Sequence, residues 1–199
     1  LATVPEAAQA VLPLLEGKGT SLVLRSRNAL PHVVRTPNRE FACGVHLVPR
    51  AGSLVYLGAT NRVASVAGAT GAAAVGEVHY LIETAIRQLD TRLTHADIVS
   101  VQSGCRPLSA DGNPLVGVTA MPGLVVATGT YRNGVLLAPY VGEIVAREIT
   151  MGCGEAGNPY SPIGRDQPAA KSHAEIKDVL RRASSGLLAM MLEPGGTLP

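Results

Sequence analysis

Near the middle of this sequence the apolar residues change period, and that change limits the folds open to the chain. From Val45 to Leu57 they come in two short runs, Val45–Val48 and Leu54–Leu57. The residues between them, Pro49, Arg50, Ala51 and Gly52, are turn formers, so the stretch reads as a β-hairpin. From Gly71 to Asp90 the spacing becomes three and four. Val75, Val78, Ile82, Ile86 and Leu89 share one face, with Glu77, Glu83, Arg87 and Asp90 elsewhere, the pattern of an amphipathic helix.

The flanking segments extend both themes. "TSLVLR" (Thr20–Arg25) reads as a strand after a turn-rich "EGKG" (Glu16–Gly19), and "PHVVRTPNREFACG", broken by Pro31 and Pro37, as edge strand and loop. Ile98–Gln102, Leu115–Val118 and Leu124–Ala127 are expected strands. Pro139 suits the first turn of a helix running to about Gly152, because its missing N–H would have no partner there. A last helix is expected after Ser172, with Glu175 at capping-box spacing and Ile176, Leu180, Ala183 and Leu187 on one face. Sheet first, then a strand feeding a helix, is an α+β or mixed α/β order.

Composition narrows the function. With 46% apolar and 16% charged residues over 199 positions, the chain can bury a real core. A net charge of +2, six aromatic residues and no basic block argue against nucleic-acid binding. No apolar run approaches the roughly 20 residues of a membrane helix. Cys43, Cys105 and Cys153 show no metal-ligand spacing and read as small buried or loop residues, reduced in a cytoplasm. "GATGAAAVG" (Gly68–Gly76) imitates a dinucleotide fingerprint, but its glycines have the wrong spacing and no strand leads into it. The chain begins at Leu1, and the expectation is that it belongs to something longer.

Two isolated arginines carry the chemistry. Arg132 in "ATGTYRNGVLLAP" lies where a strand ends, the chain turns through Gly129 and Gly134, and a helix begins. A helix start presents partial positive charge, and glycines let a ligand approach the backbone, so the junction suits an anionic or electron-accepting group. Arg132 would add a forked donor. A domain-edge ion pair with ordinary glycine turns explains the same residues. Arg106 in "SGCRPLSADGNPLVG" is equally open, with Asp111 and Gly112 in a turn. Tyr131 and Tyr140 read as packing aromatics. Of the scattered histidines, His46 alone lies on the hairpin.

In this order and spacing, "HLVPRAGSLVYLGAT", "SGCRPLSADGNPLVG" and "GLVVATGTYRNGVLLAPYVGEIVAREI" resemble the C-terminal half of the D-amino-acid-oxidase-like flavoenzymes, with glycine oxidase and FAD-dependent amine oxidases nearest. The likeness spans about residues 10–152, and "NPYSPIGRD" is similar to the closing segment of that family. It implies an antiparallel-sheet substrate domain in residues 1–98 and a segment, 99–152, completing a Rossmann-like FAD domain. Residues 153–199 would be a turn-rich tail with a terminal helix.

The resemblance also implies hydride transfer to flavin from the carbon beside nitrogen in an amino acid or amine. It places Arg106 against the substrate carboxylate, with His46 and Arg132 also in the substrate pocket. Gly104, Arg106, Gly129, Thr130, Arg132, Asn133, Gly134, Val135 and Leu136 would line the flavin. His46 stands where glycine oxidase has a tyrosine, and Thr130 where related turns have histidine, which implies a different pocket. A cysteine-linked flavin in a relative aligns with Gly104, so non-covalent FAD is implied. The FAD-binding first half of the family is expected as a partner, on a separate or cleaved chain or missing from this piece. A non-catalytic assembly subunit of a flavoprotein complex is the alternative.

Overall fold

The computed structural model describes residues 14–28, 30–37, 44–64, 71–151, 158–164, 175, 178 and 179. The chain divides into two compact units, one of residues 17–64 and 68–105, the other of residues 1–16, 65–67 and 106–199.

The first unit is a sheet with a helix on it. Its strands are β1 (Leu14–Arg25, whose first residues belong to the second unit), β2 (Val34–Arg35), β3 (His46–Arg50), β4 (Leu54–Gly58) and β5 (Arg62–Ala64). They lie in the order β2-β3-β4-β1-β5, and β6 (Asp97–Ser109) also pairs with β1. The pairs β2–β3, β3–β4 and β1–β4 are antiparallel. Their register sets Leu47 and Leu22 on either side of Leu57, and Leu24 beside Val55. That row packs against Leu81 and Ala85 of helix α1 (Val75–Gln88) and Leu93 of the short 3₁₀ turn Thr91–His95. Each fully buried leucine contributes about 1.5–3 kcal/mol by area, an upper bound.

The hairpin and the helix are where the periodicity places them, but the buried face of the helix is centred on Glu77, Leu81 and Ala85, with Val78, Ile82, Ile86 and Leu89 partly buried beside it and Val75 86% exposed. The hairpin loop is Ala51–Ser53, with Gly52 and Ser53 at positive φ (73° and 60°), while Pro49 and Arg50 stay in β3. β2 pairs only with Leu47 and His46, so Pro49 lies past its end and its missing N–H interrupts no ladder on that side. The "EGKG" stretch is strand, not turn. The inside-outside alternation runs straight through it, with Leu15, Gly17 and Gly19 buried and Glu16 and Lys18 half-buried.

A polar cluster ties α1 to β1. The Thr20 hydroxyl and the Ala74 N–H both donate to Glu77 Oε2, at 2.9 and 3.0 Å. Lys18 Nζ lies 3.5 Å from the same oxygen and donates to the Ala72 carbonyl at 2.5 Å. The Thr20 N–H donates to Thr60 Oγ1 at 2.8 Å, and the Thr60 N–H to the Thr20 carbonyl at 3.0 Å. Burial works to raise the Glu77 pKa. The bonds from Ala74 and Thr20 and the Lys18 charge outweigh it and hold the carboxyl below its ordinary range.

The second unit contains the end of β6, an antiparallel hairpin of β7 (Leu115–Val118) and β8 (Val125–Thr128), and helix α2 (Gly134–Met151), which packs on both hairpin strands. Pro139 is six residues into α2 rather than in its first turn. The helix starts earlier because the Asn133 carbonyl already accepts the Leu137 N–H at 2.9 Å. Buried Glu148 of α2 accepts from Asn158 Nδ2 at 2.8 Å and, more loosely, from the Val118 N–H at 3.4 Å. Asn158 also donates to the Val116 carbonyl at 2.9 Å, and the Val116 N–H to the Tyr160 carbonyl at 2.8 Å. The segment 158–160 is thereby strapped to β7.

The helix expected after Ser172 lies outside the described residues except for Glu175, Asp178 and Val179, which are helical. Cys43 and Cys153 are also outside. Cys105 is neither buried nor in a loop: it is exposed on β6.

Candidate functional site

β6 is longer than its apolar run suggests. It continues through Gly104, Cys105 and Arg106 to Ser109, so Arg106 lies in a strand and not in the turn after one. The turn comes next: the Gly112 N–H donates to the Ser109 carbonyl at 3.1 Å, and Asp111 Oδ1 accepts from the Asn113 N–H at 3.0 Å. The chain then passes through the β7–β8 hairpin and returns to the end of β6. Leu108 and Thr130 form an antiparallel bridge, and the Tyr131 N–H donates to the Pro107 carbonyl at 3.0 Å. The two arginine motifs, separate in sequence, are therefore joined by backbone hydrogen bonds.

The turn between β8 and α2 is tightly specified. Gly129 has φ +76°, and a Cβ there would lie 3.2 Å from the Leu115 nitrogen and 3.4 Å from the Ser109 Cβ. A side chain is excluded by both conformation and space. Tyr131 takes φ 51° with its ring buried, and Arg132 sits over that ring with its guanidinium carbon 5.4 Å from the centroid. The Asn133 N–H donates to the Thr130 carbonyl at 2.9 Å, and α2 begins at Gly134. As at any helix start, the first-turn N–H groups lack partners inside the helix. Val135 and Leu136 stand beside them at 94% and 59% exposure, whereas Leu137 turns into the core.

Arg106 is half-buried, and its Nη1 is buried with no hydrogen-bond partner among the described residues. A buried guanidinium nitrogen without an acceptor is costly, and an anion would relieve that cost. Arg106, Gly129, Thr130, Arg132, Asn133, Gly134, Val135 and Leu136 thus belong to one local structure in the second unit.

His46 and Gly104 belong to the first unit. His46 is half-buried, with Nδ1 3.3 Å from the Gly44 carbonyl and its ring 5.6 Å from that of Tyr56. The Arg50 guanidinium lies 5.1 Å from the same tyrosine ring. Gly104 is exposed, with open space where a Cβ would be. Tyr56, which the sequence reading passed over, could have been found from the hairpin register, since it faces Val48 two places from His46.

A family model described as FAD dependent oxidoreductase matches residues 2–148. The chain belongs to the FAD-dependent oxidoreductase family. Within that family it is 33% identical over 137 residues to the bifunctional protein ThiO/ThiG of Nostoc sp. strain PCC 7120, covering 68% of this chain and 20% of that one. It is 36% identical over 104 residues to glycine oxidase of Geobacillus kaustophilus, covering 52% and 26%. The crystal structure of that glycine oxidase superposes with a TM-score of 0.62 at 29% identity, over 80% of this chain and 41% of the other. Iminodiacetate oxidase from Chelativorans sp. BNC1, at 22% identity and TM-score 0.58, shares the fold. The chain of this FAD-dependent oxidoreductase thus spans 41% or less of these two sequence relatives and of the glycine oxidase structure. Among its described residues, no helix is long and apolar enough to cross a membrane.

Proposed function

We propose that this chain supplies the substrate-facing sheet and the flavin-facing turn of an FAD-dependent oxidoreductase acting on the C–N bond of an amino acid or amine. Residues 1–98 serve the substrate domain and residues 99–152 complete a Rossmann-like FAD domain, whose dinucleotide-holding half is contributed by residues outside this piece. The observation that carries the reading is the backbone junction of β6 with the β8–α2 turn, which sets Arg106 next to a helix start.

The residues present fit FAD and an anionic substrate. Gly129, at φ +76° and packed against Ser109 and Leu115, lets the chain turn sharply from β8 towards the start of α2. The start of α2 favours negative charge, and the Nη1 of Arg106 is buried without an acceptor among the described residues. FAD, when bound, supplies the two-electron acceptor that takes hydride from the carbon beside the nitrogen. Arg106 binds and orients the substrate carboxylate. Arg132, held over Tyr131, keeps positive charge beside the turn, and the N-terminus of α2 stabilises charge that develops there. Val135 and Leu136 offer apolar surface that excludes water. His46 serves the substrate pocket and Gly104 the flavin, without a covalent link.

The test is the visible spectrum of the complete native protein under anaerobic conditions before and after small amino acids and amines are added. Flavin absorption that bleaches with one of them is the expected result. Colourless native material that neither binds added FAD nor responds would overturn the reading.

A further inference from the structure

The sheet of the first unit has an inner face, where Leu22, Leu57 and Leu47 pack with Leu81 and Ala85 of α1. Its alternate rows point the other way. Across β1, β4 and β3 these rows read Arg25, Leu54 and Arg50, then Val23, Tyr56 and Val48, then Ser21, Gly58 and His46, with Arg35 of β2 beside His46. The outer face so defined carries three arginines and a histidine and no acid. Elsewhere Arg87, Arg92 and Arg147 each pair with a carboxylate, that of Glu83, Asp90 or Glu143. Arg25 and Arg50 are exposed, and neither has a carboxylate partner among the described residues. This face is a one-sign surface, and it lies in the unit that holds His46.

We propose that the outer face binds an anionic group through Arg50 and Arg25, and that this group is a second carboxylate of the substrate. The second half of the statement rests on the function proposed above. Tyr56 is the residue that builds the site. A Cβ at Gly58 would lie 2.6 Å from both its Cε1 and its Oη, so the ring folds along β4 into space that only a glycine leaves open. One end of that ring meets His46, at 5.6 Å between ring centres, and the Arg50 guanidinium sits over it at 5.1 Å. A guanidinium stacked on a ring keeps its edge N–H groups for a ligand, in the fork that fits a carboxylate. Arg25 stands across Leu54 from Arg50, roughly 10 Å away at the usual strand spacing, within reach of two long side chains meeting on one anion. Between the cations and His46 the face is apolar, with Val23, Val48, Leu54 and the Tyr56 ring, which suits the carbons joining the two ends of a substrate. The class is an amino acid or amine with a distal carboxylate on a short chain.

The test compares acids with their side-chain amides in the complete protein as its source makes it. Both enantiomers of aspartate and glutamate are assayed against those of asparagine and glutamine. The parent is expected to show kcat/KM about tenfold or more higher for at least one acid than for its amide. Arg50→Met should bring that ratio close to one, and Arg50→Lys, which restores the charge without the fork, should recover part of it. Arg25→Met is a second, independent variant expected to lower the ratio. Arg87→Met, on α1 and so off this face, should keep the parent ratio. A ratio near one in the parent, or an equal ratio in the parent and Arg50→Met, would overturn the proposal while oxidation of neutral amines left the functional reading in place. Where no amine is oxidised, glutarate binding measured by calorimetry decides. Glutarate bound by the parent and at least fivefold more weakly by Arg50→Met would keep the anion site and remove the functional reading, whereas equal or absent binding would overturn the site as well.

Discussion

Arg106 is the residue on which most depends. Its buried Nη1 has no acceptor among the described residues, and an anionic ligand would supply one. Arg106→Ala in the complete protein is expected to raise KM for a carboxylated substrate at least tenfold, the loss of a charged hydrogen-bonded contact of about 1.5–3 kcal/mol. A domain-edge ion pair would instead show as a lowered melting temperature with normal KM. Glu77 is a buried carboxylate whose Oε2 has its partners in place, while its Oε1 has none among the described residues. Its pKa is lowered on folding, so its contribution is complete above the ordinary carboxylate value of about 4.3 and is lost as pH falls through the depressed folded value. Urea midpoints from about pH 7 to about pH 3 should therefore fall less steeply for Glu77→Gln than for the parent. Parallel curves would show that the carboxylate does not sense folding.

Among the elements, the β7–β8 hairpin and α2 depend on each other through groups far apart in sequence. Gly117 has φ +132°, and a Cβ there would lie 2.9 Å from Asn158 Nδ2 and 3.2 Å from Glu148 Oε1. Gly117→Ala is expected to cost more than about 1 kcal/mol, from backbone strain and from the displaced amide. Asn158→Ala removes the main donor to a buried carboxylate, at a cost of about 1–3 kcal/mol. Denaturant titration of the two variants and their combination should show non-additive losses, because both act on one network. In the first unit, Leu57 lies in the central strand of a three-leucine row, and Leu57→Ala should cost about 2–5 kcal/mol.

At the scale of the whole molecule, the proposed flavin site predicts a linkage. FAD that binds the native state alone should stabilise the complete protein by about 2.7 kcal/mol at a hundred times its Kd. A melting temperature that does not rise with added FAD, in material not already saturated, would count against the site. The strands and helices were legible wherever local signals sufficed. The β3–β4 hairpin, the β7–β8 pair and α1 announce themselves by period and turn residues, and three ordered motifs suffice to indicate the family. Glycine content misled at "EGKG", because a glycine on the buried face of a strand cannot be told from one in a turn without its neighbours. The junction of Pro107 with Tyr131 and the grip of Asn158 on Glu148 join residues 24 and 10 positions apart through hydrogen bonds that leave no periodic trace. By itself, then, the sequence determined which segments are strand or helix and which motifs they carry, since backbone preference and side-chain period act over a few residues. Only the tertiary structure decided that Arg106 lies within a strand joined by backbone bonds to the turn before a helix, and that, among the described residues, its Nη1 has no partner and one apolar flank of α2 is uncovered. Burial and pairing are properties of segments brought together, not of any one of them.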